Sequence, residues 1–206
     1  MFGQDWGYVV VNDRLIKQIQ FIVEVDKLKH VYRQTLLMDG SRNENDAEHS
    51  WHLSIMAILL SEYAEDKSIN ILRVIKMVII HDLIEIYAGD TFCYDEEAGK
   101  DKPQREKAAA GRLFNMLPAD QSEEFHSLWE EFEDRVTSEA KFAAALDRIQ
   151  PLLHNYHTNG HTWRKYNIKS DKVYERNIHV KEASGALWEY ISMMIEDCIE
   201  KGLLER

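Results

Sequence analysis

The sequence contains few of the residues that interrupt regular structure, and little cysteine. Its 206 residues include 3 Pro and 9 Gly, which predicts long regular elements with few breaks. The 2 Cys, Cys93 and Cys198, form neither a disulfide framework nor a metal-ligand spacing, as in proteins of a reducing compartment. No apolar run reaches membrane-spanning length, and the N-terminus has no basic segment followed by an apolar one. A cytoplasmic protein that does not enter a membrane is therefore expected.

The chain also lacks an excess of positive charge. Its formal net charge is -11, so attraction to the backbone of a nucleic-acid polymer is not expected. A small phosphorylated ligand stays compatible with this charge, because a metal ion and one or two arginines can reverse the sign locally. With 45% hydrophobic and 30% charged residues, the composition predicts a single globular domain over residues 1–206, in which residues 1–11 are peripheral.

Apolar residues recur at helical spacing along most of the chain, and alternating patterns are almost absent. We therefore predict an all-α fold, a single-domain helical bundle. Capping and breaking residues predict helices from Asn12 or Asp13 to about Thr35, from an Asp46 cap to about Ala64, from a Ser68 cap to about Tyr87 with a stop at Gly89, from Pro103 to Leu117, from Ser122 to about Val136, from Ser138 to about His157, and from Ala183 to Lys201. Residues 39–45 and 91–102 are predicted loops, and 8–11 is the strand candidate.

One predicted helical turn combines a histidine and two acids where the chain enters the core. His81 and Asp82 end the apolar run 75–80, and Glu85 follows one turn later on the same side of the helix. Ionisable side chains are rarely buried unless they are paired or coordinate a metal. This turn therefore predicts a metal site built on buried helices.

His49 and Asp147 are candidates to complete that site. His49 lies on an apolar helical face, where a core histidine is the alternative interpretation, and His52, three residues on, is a candidate to support the site indirectly. Asp147 lies in the apolar run 142–149, and a proline four residues later removes the hydrogen bond to its carbonyl, which predicts a bend in the helix. The alternative is an Asp147 that pairs with Arg148 or caps the kink.

Together His49, His81, Asp82 and Asp147 make a mixed nitrogen and oxygen ligand set that suits one divalent ion. Their order along the chain resembles the HD-domain superfamily of metal-dependent phosphohydrolases, and segments 47–51 and 81–90 look like its 5'-deoxynucleotidase-like branch. The similarity runs from about residue 28 to residue 147 and on toward residue 163. It implies an HD-type bundle with these four residues holding one Mn, Co, Fe, Zn or Mg ion per chain in its core, and a homodimer.

The resemblance also implies roles for three residues outside the ligand set. Glu85 and Asp90 take acid–base and water-positioning roles, and Arg33 contacts the phosphate of the substrate. The alternatives are that Glu85 is a surface acid of a helix, that Asp90 is a turn residue or a helix-end cap, and that Arg33 is a solvated arginine. The branch commonly has an aromatic residue shortly after this arginine, whereas residues 34–37 here are Gln-Thr-Leu-Leu, which leaves sugar and base recognition open. Arg42 is a weaker phosphate candidate.

The expected function is that of a phosphohydrolase that releases phosphate from a small phosphorylated metabolite, foremost a nucleoside or deoxynucleoside 5'-monophosphate. An HD-type di-iron oxygenase is the runner-up, but it needs further histidines between the His-Asp pair and the final Asp, where only His126 stands. Guanosine tetraphosphate hydrolases place a second acid where this chain has Ile86. A non-catalytic, metal-containing binding protein is the third alternative. The cluster His154, His157 and His161 is interpreted as structural rather than as a second metal site.

Overall fold

The computed structural model describes residues 12–206, so the strand candidate 8–11 and the peripheral segment 1–11 lie outside the described residues. The elements in order are α1 (Asp13–Val25), β1 (Tyr32–Leu36), β2 (Asn43–Asn45), α2 (Asp46–Leu60), α3 (Ile71–Ile80), α4 (Glu85–Ala88), α5 (Glu96–Gly99), α6 (Lys102–Phe114), α7 (Ala119–Asp134), α8 (Ser138–His157), α9 (His161–Lys165), α10 (Ser170–Asn177), α11 (Val180–Ala183) and α12 (Gly185–Glu200). Short 3-10 segments follow α1, α2 and α3. The all-α prediction is confirmed.

Helices α3 and α8 lie at the centre of the bundle. Helix α3 packs on α2, α7 and α8, and α8 also contacts α11 and α12. Consecutive alanines at 143–145 of α8 are buried, and small side chains let neighbouring helices approach closely. Larger side chains such as Phe114, Phe142 and Ile191 fill the remaining core. The bundle therefore surrounds the polar groups of α2, of α8 and of the 3-10 segment that follows α3.

Side-chain caps set the start of the helices that carry the site. The Asn45 side chain accepts a hydrogen bond from the Glu48 backbone, and the Glu48 side chain accepts one from the Asn45 backbone, which forms a capping box on α2. The side chain of Asn70 caps α3 and that of Thr137 caps α8, each by accepting a hydrogen bond from a backbone N–H of the first turn. The first turn of α2 is thereby fixed next to β2, which places His49 toward the core.

Several predicted boundaries are wrong. The first helix ends at Val25 rather than near Thr35, because 32–36 forms an extended strand that pairs antiparallel with 43–45. Valine, tyrosine and threonine at 31, 32 and 35 favour that conformation. The caps of α2 and α3 are Asn45 and Asn70, not Asp46 and Ser68. Helix α7 begins at 119 rather than 122, and α6 ends at 114 rather than 117.

Some helices were not predicted, and one predicted helix is divided in the structure. The helix predicted from residue 69 to 87 is divided into α3, a 3-10 segment at His81–Ile84 and α4. The predicted stop at Gly89 is confirmed, and the φ of 76° at this residue suits glycine. Helices α5, α9, α10 and α11 were not predicted. Helix α8 matches its prediction and continues through Pro151. None of the helices in residues 12–206 is long and apolar enough to cross a membrane.

Candidate metal centre

The four residues predicted as metal ligands come together where α2, α8 and the 3-10 segment after α3 meet. His49 lies on the first turn of α2, His81 and Asp82 lie on the 3-10 segment, and Asp147 lies near the middle of α8. Nε2 of His49 is 3.0 Å from Oδ1 of Asp147 and 3.8 Å from Oδ2 of Asp82. Nε2 of His81 is 3.0 Å from Oδ1 of Asp82 and 3.7 Å from Oδ1 of Asp147. Imidazole nitrogens and carboxylate oxygens therefore face one point.

The hydrogen bonds of His81 fit a cation at that point. Nδ1 of its ring lies 3.0 Å from the carbonyl oxygen of Val78, so this nitrogen is the donor and Nε2 is the nitrogen left to face the carboxylates. The buried Nε2 makes no hydrogen bond to any residue in 12–206, although it faces two carboxylates. Carboxylate oxygens around this nitrogen favour positive charge, which a proton on the ring or a bound cation supplies, and a neutral ring offers Nε2 to such a cation. The donor set thus fits a divalent ion.

The negative charges of Asp82 and Asp147 also favour a cation at this point. Burial disfavours a charged His81, but Asp82 and Asp147 outweigh it and raise the pKa of the imidazole to about 9. Burial opposes the negative charge of Asp147, yet its contacts with His49 and His81 hold the pKa of its carboxyl well below the usual range. The interpretation that Asp147 pairs with Arg148 is not borne out, because no ion pair joins these two side chains in the described residues and Asp147 faces the two histidines.

A second acidic cluster adjoins the first, and sequence reasoning missed one of its members. Carboxylate oxygens of Asp46, Asp82 and Glu85 lie within 4.8 Å of one another. Asp46 is fully buried, whereas the sequence pattern suggested only a helix cap. Arg33 offsets this charge, since its Nη1 donates to Oδ2 of Asp82 at 2.9 Å and to Oδ1 of Asp46 at 3.3 Å. Arg33 is therefore mostly buried in contact with the metal centre and is not a solvated arginine.

The predicted acids Glu85 and Asp90 both face the cavity beside this centre. Glu85 is buried, so the surface-acid alternative is excluded. Burial and the nearby charges of Asp82, Asp46 and Asp90 raise the pKa of Glu85 well above its ordinary value. Burial also raises the pKa of Asp90, with Arg33 opposing the shift. Both side chains can therefore hold or exchange a proton at the site.

This cavity, called the central cavity below, has a volume of about 270 Å³. Its lining includes His81, Asp82 and Asp147 of the metal centre together with Arg33, Glu85 and Asp90, and it continues past aromatic and basic side chains: Phe92, Tyr94, Lys102, Phe132, Arg135, Arg148, Trp163 and Arg176. A small molecule that enters it can therefore contact carboxylates, His81 and arginines.

A buried polar network supports His49 from behind. Oε2 of Glu44 lies 3.7 Å from Nδ1 of His49, and Oε1 of Glu44 accepts a hydrogen bond of 2.6 Å from Nε2 of Gln150. Nε2 of Gln150 also lies 2.8 Å from Nε2 of His154, whose Nδ1 bonds the carbonyl oxygen of Leu36. Burial raises the pKa of Glu44 to about 7, and it lowers that of His154 to about 4. Glu44 fell in a predicted polar loop, and its burial follows from the strand pairing that the sequence did not reveal.

The remaining candidates lie away from the ligand set. His52 is 3.4 Å from Gln150 and joins Glu44 and His154 in a separate cluster, so it touches the network behind His49. His157 and His161 belong to no potential metal cluster among the described residues, and neither does His126. The guanidinium of Arg42 is engaged in an ion pair with Glu48. Arg42 is not among the residues that line the central cavity.

Comparisons with known proteins identify relatives of this chain. The sequence is 34% identical to the 5'-deoxynucleotidase HDDC2 of Xenopus laevis over 136 residues, 66% of this chain and 66% of that protein. It is 30% identical to the 5'-deoxynucleotidase HDDC2 of Homo sapiens over 136 residues, 66% of this chain and 65% of that protein. The match thus spans slightly less than two thirds of these curated relatives.

A solved structure matches over nearly the whole chain. The crystal structure of a predicted metal-dependent phosphohydrolase from Magnetospirillum magnetotacticum MS-1 is 49% identical, with a TM-score of 0.90, and the match covers 94% of this chain and 96% of that one. The family model of the HD domain matches residues 25–188, which include every member of the candidate metal centre. This chain belongs to the HD-domain family.

Proposed function

We propose that this protein is a metal-dependent phosphohydrolase that releases phosphate from a small phosphorylated metabolite, with nucleoside or deoxynucleoside 5'-monophosphates as its substrates. One observation carries the proposal. The buried Nε2 of His81 faces Asp82 and Asp147 with no hydrogen bond to a described residue, at the wall of a cavity that Arg33 also lines. Candidate ligands of a cation and a candidate phosphate-binding arginine thus share one cavity. The names of the relatives support the same activity.

The proposed cofactor is one divalent ion per chain, held by His49, His81, Asp82 and Asp147, with Mn, Co, Fe, Zn and Mg as candidates. When bound, such an ion neutralises charge on phosphoryl oxygens and lowers the pKa of a water molecule. The carboxylate of Glu44, behind Nδ1 of His49, favours a proton on that nitrogen. His49 then presents Nε2 to the ion, which is the arrangement typical of histidine ligands.

The other groups of the site act on the substrate and on protons. Nη1 of Arg33 is held by Asp46 and Asp82, while Nη2 bonds no described residue and can donate to a phosphate oxygen. Glu85 and Asp90 supply an acid and a base between them. The base takes a proton from the attacking water, and the acid gives one to the oxygen that leaves phosphorus, so that an alcohol and inorganic phosphate are formed.

Aromatic side chains in the central cavity support a nucleoside as the alcohol. Phe92, Tyr94 and Trp163 line it, and aromatic rings offer faces on which a base can stack. They compensate for the missing aromatic residue after Arg33. Gln34, which stands near that position, accepts a hydrogen bond from the hydroxyl of Tyr166 instead.

Three further properties complete the proposal. The chain forms a single HD domain, supported by one continuous hydrophobic core in the described residues. It acts in the cytoplasm, which the free cysteines support. It forms a homodimer, supported by exposed apolar side chains on α2 such as Trp51, Ile58 and Leu59.

Phosphate release by metal-reconstituted protein tests the activity. The protein is treated with a chelator, loaded separately with each candidate metal, and assayed with ribonucleoside and deoxynucleoside 5'-monophosphates and with sugar phosphates. We expect turnover with at least one metal and loss of it in Asp147→Asn, while Asp134→Asn, an exposed acid on α7, keeps the parent rate. Absence of phosphate release from every substrate with every metal would contradict the proposal.

A further inference from the structure

Three arginines without an acidic partner line one part of the central cavity. Arg135 follows the end of α7 with φ of 53°, Arg148 lies on α8 and Arg176 lies on α10. None of the three forms an ion pair with a residue in 12–206, although the chain carries eleven more negative than positive charges. We call these residues the arginine triad. In so acidic a protein, three unpaired arginines at one cavity require an explanation.

Arg148 gives the strongest evidence that the arginine triad binds an anion. The residue is only 9% exposed, and its Nη1 donates a 2.6 Å hydrogen bond to the carbonyl oxygen of Arg176. Arg135 and Arg176 line the same cavity as Arg148. Buried charges are normally paired, because desolvation of an unpaired ion is costly. The fold keeps a buried arginine beside two like charges, so an anionic ligand is the missing partner.

The triad is a second cationic point, separate from Arg33. Arg33 comes from β1 and its Nη1 contacts Asp46 and Asp82, whereas Arg148 directly follows Asp147 on α8. Both arginines line the same cavity, with the carboxylates of the metal centre also in its wall. A ligand that spans the cavity can therefore place one anionic group at Arg33 and another at the triad.

A neighbouring cavity extends the positive region. It has a volume of about 430 Å³ and shares Arg135 and Arg148 with the central cavity. Lys141 and His179 also line it, and Glu182 is its only acidic lining residue among those described. Glu182 already pairs with Lys141 at 3.3 Å and lies 3.4 Å from His179. No acid of this cavity is therefore available to neutralise the triad.

We propose that the arginine triad binds a second phosphate group of the substrate, so that the preferred substrates are small metabolites, such as nucleosides, with two separate phosphates. This inference rests on the proposed function, since one phosphate is hydrolysed at the metal centre while the other is held by the triad. Guanidinium groups suit the task because their planar fork matches two phosphate oxygens. The triad acts in binding and takes no part in the bond that breaks.

Substrate selectivity tests the proposal. The parent protein should have a kcat/KM for a nucleoside 3',5'-bisphosphate at least about tenfold above that for the matching 5'-monophosphate, as one charge-assisted contact in a desolvated site allows. Arg176→Ala and Arg148→Ala should each lower this ratio by about tenfold, and Arg148→Lys should recover part of it. The control Arg164→Ala removes an exposed arginine that has no ion pair within residues 12–206 and lies outside the cavity lining, so it should keep the ratio. If Arg148→Ala does not fold, the ratio measured for Arg176→Ala tests the proposal.

Binding of inorganic pyrophosphate to the chelator-treated protein gives a readout without turnover. Calorimetry should show affinity that falls about tenfold in Arg135→Ala and Arg176→Ala and stays unchanged in Arg164→Ala. Equal binding by all variants, or hydrolysis of monophosphates with no preference for bisphosphates, overturns the triad's role and leaves the proposed function intact. If the parent releases phosphate from nothing while pyrophosphate binding still depends on the triad, the proposed function fails and the anion site stands.

Discussion

Replacement of Arg33 by alanine should destabilise the metal-free protein. Arg33 is the cation that faces the buried carboxylates of Asp46 and Asp82, at 3.3 and 2.9 Å, and its side chain is 14% exposed. Removal of one partner from a buried ion pair costs about 3–5 kcal/mol. The low end, about 3 kcal/mol, applies here because burial and Asp82 already raise the pKa of Asp46 to about 7, so this acid can take up a proton instead.

Urea denaturation of chelator-treated protein measures this loss of free energy of unfolding. A loss of about 3 kcal/mol corresponds to a fall in Tm of roughly 6–12 °C for a chain of this length. The matched control is Arg42→Ala, whose ion pair with Glu48 is exposed to solvent, so its cost in free energy of unfolding should be much smaller than that of Arg33→Ala. Saturating divalent metal should narrow the difference between Arg33→Ala and the parent protein, because the ion faces the same carboxylates.

The same variant should lose activity without losing metal. Arg33→Ala should lower phosphate release from the best substrate by several factors of ten, while Arg33→Lys recovers only part, since a lysine does not reproduce the guanidinium fork. If Arg33→Ala is as stable as the parent protein without metal, Arg33 does not balance the acidic cluster. If it also hydrolyses substrate at the parent rate, the proposed phosphate contact is wrong.

Three further changes test other parts of the site. Glu85→Ala and Asp90→Ala should keep the metal and the fold but lower kcat by about a hundredfold or more, and near-parent rates in both would refute their acid–base role. Glu44→Gln should weaken metal affinity about tenfold by calorimetry, because the carboxylate behind His49 is lost, whereas unchanged affinity would show that Glu44 does not orient this ligand. Asn45→Ala should lower the free energy of unfolding by about 1 kcal/mol, because it removes the capping box of α2, and an unchanged urea midpoint would contradict this assignment.

The helices and the ligand candidates could be predicted because their signals are local. An apolar run that ends in His81 and Asp82 shows both the helix and its ionisable turn, and the pattern of α8 runs unbroken to residue 157. The 3-10 conformation at 81–84 could not be predicted, because it depends on packing against α4 and α6 as well as on the sequence. Local patterns thus identified residues that the fold brings together but not the backbone that presents them.

The missed residues depend on contacts between distant parts of the chain. Asp46 has the ordinary sequence signature of a helix cap, and its burial arises from Arg33 and from Glu85, 39 residues later. Glu44 lay in a predicted polar loop, yet it meets Gln150 across 106 residues. Arg176 is part of a helix that the periodicity did not reveal, and its carbonyl meets Arg148 only in the folded chain. Long-range pairing of this kind leaves no periodic trace in the sequence.

The metal content of purified variants tests the central claim most directly. Elemental analysis of the parent protein, after reconstitution and removal of free metal, should give about one divalent ion per chain, as a single set of four ligands requires. His81→Ala and Asp147→Ala should lose most of it, while His157→Ala, which changes an exposed histidine at the end of α8, should keep the parent value. Full metal retention in both His81→Ala and Asp147→Ala would contradict the account.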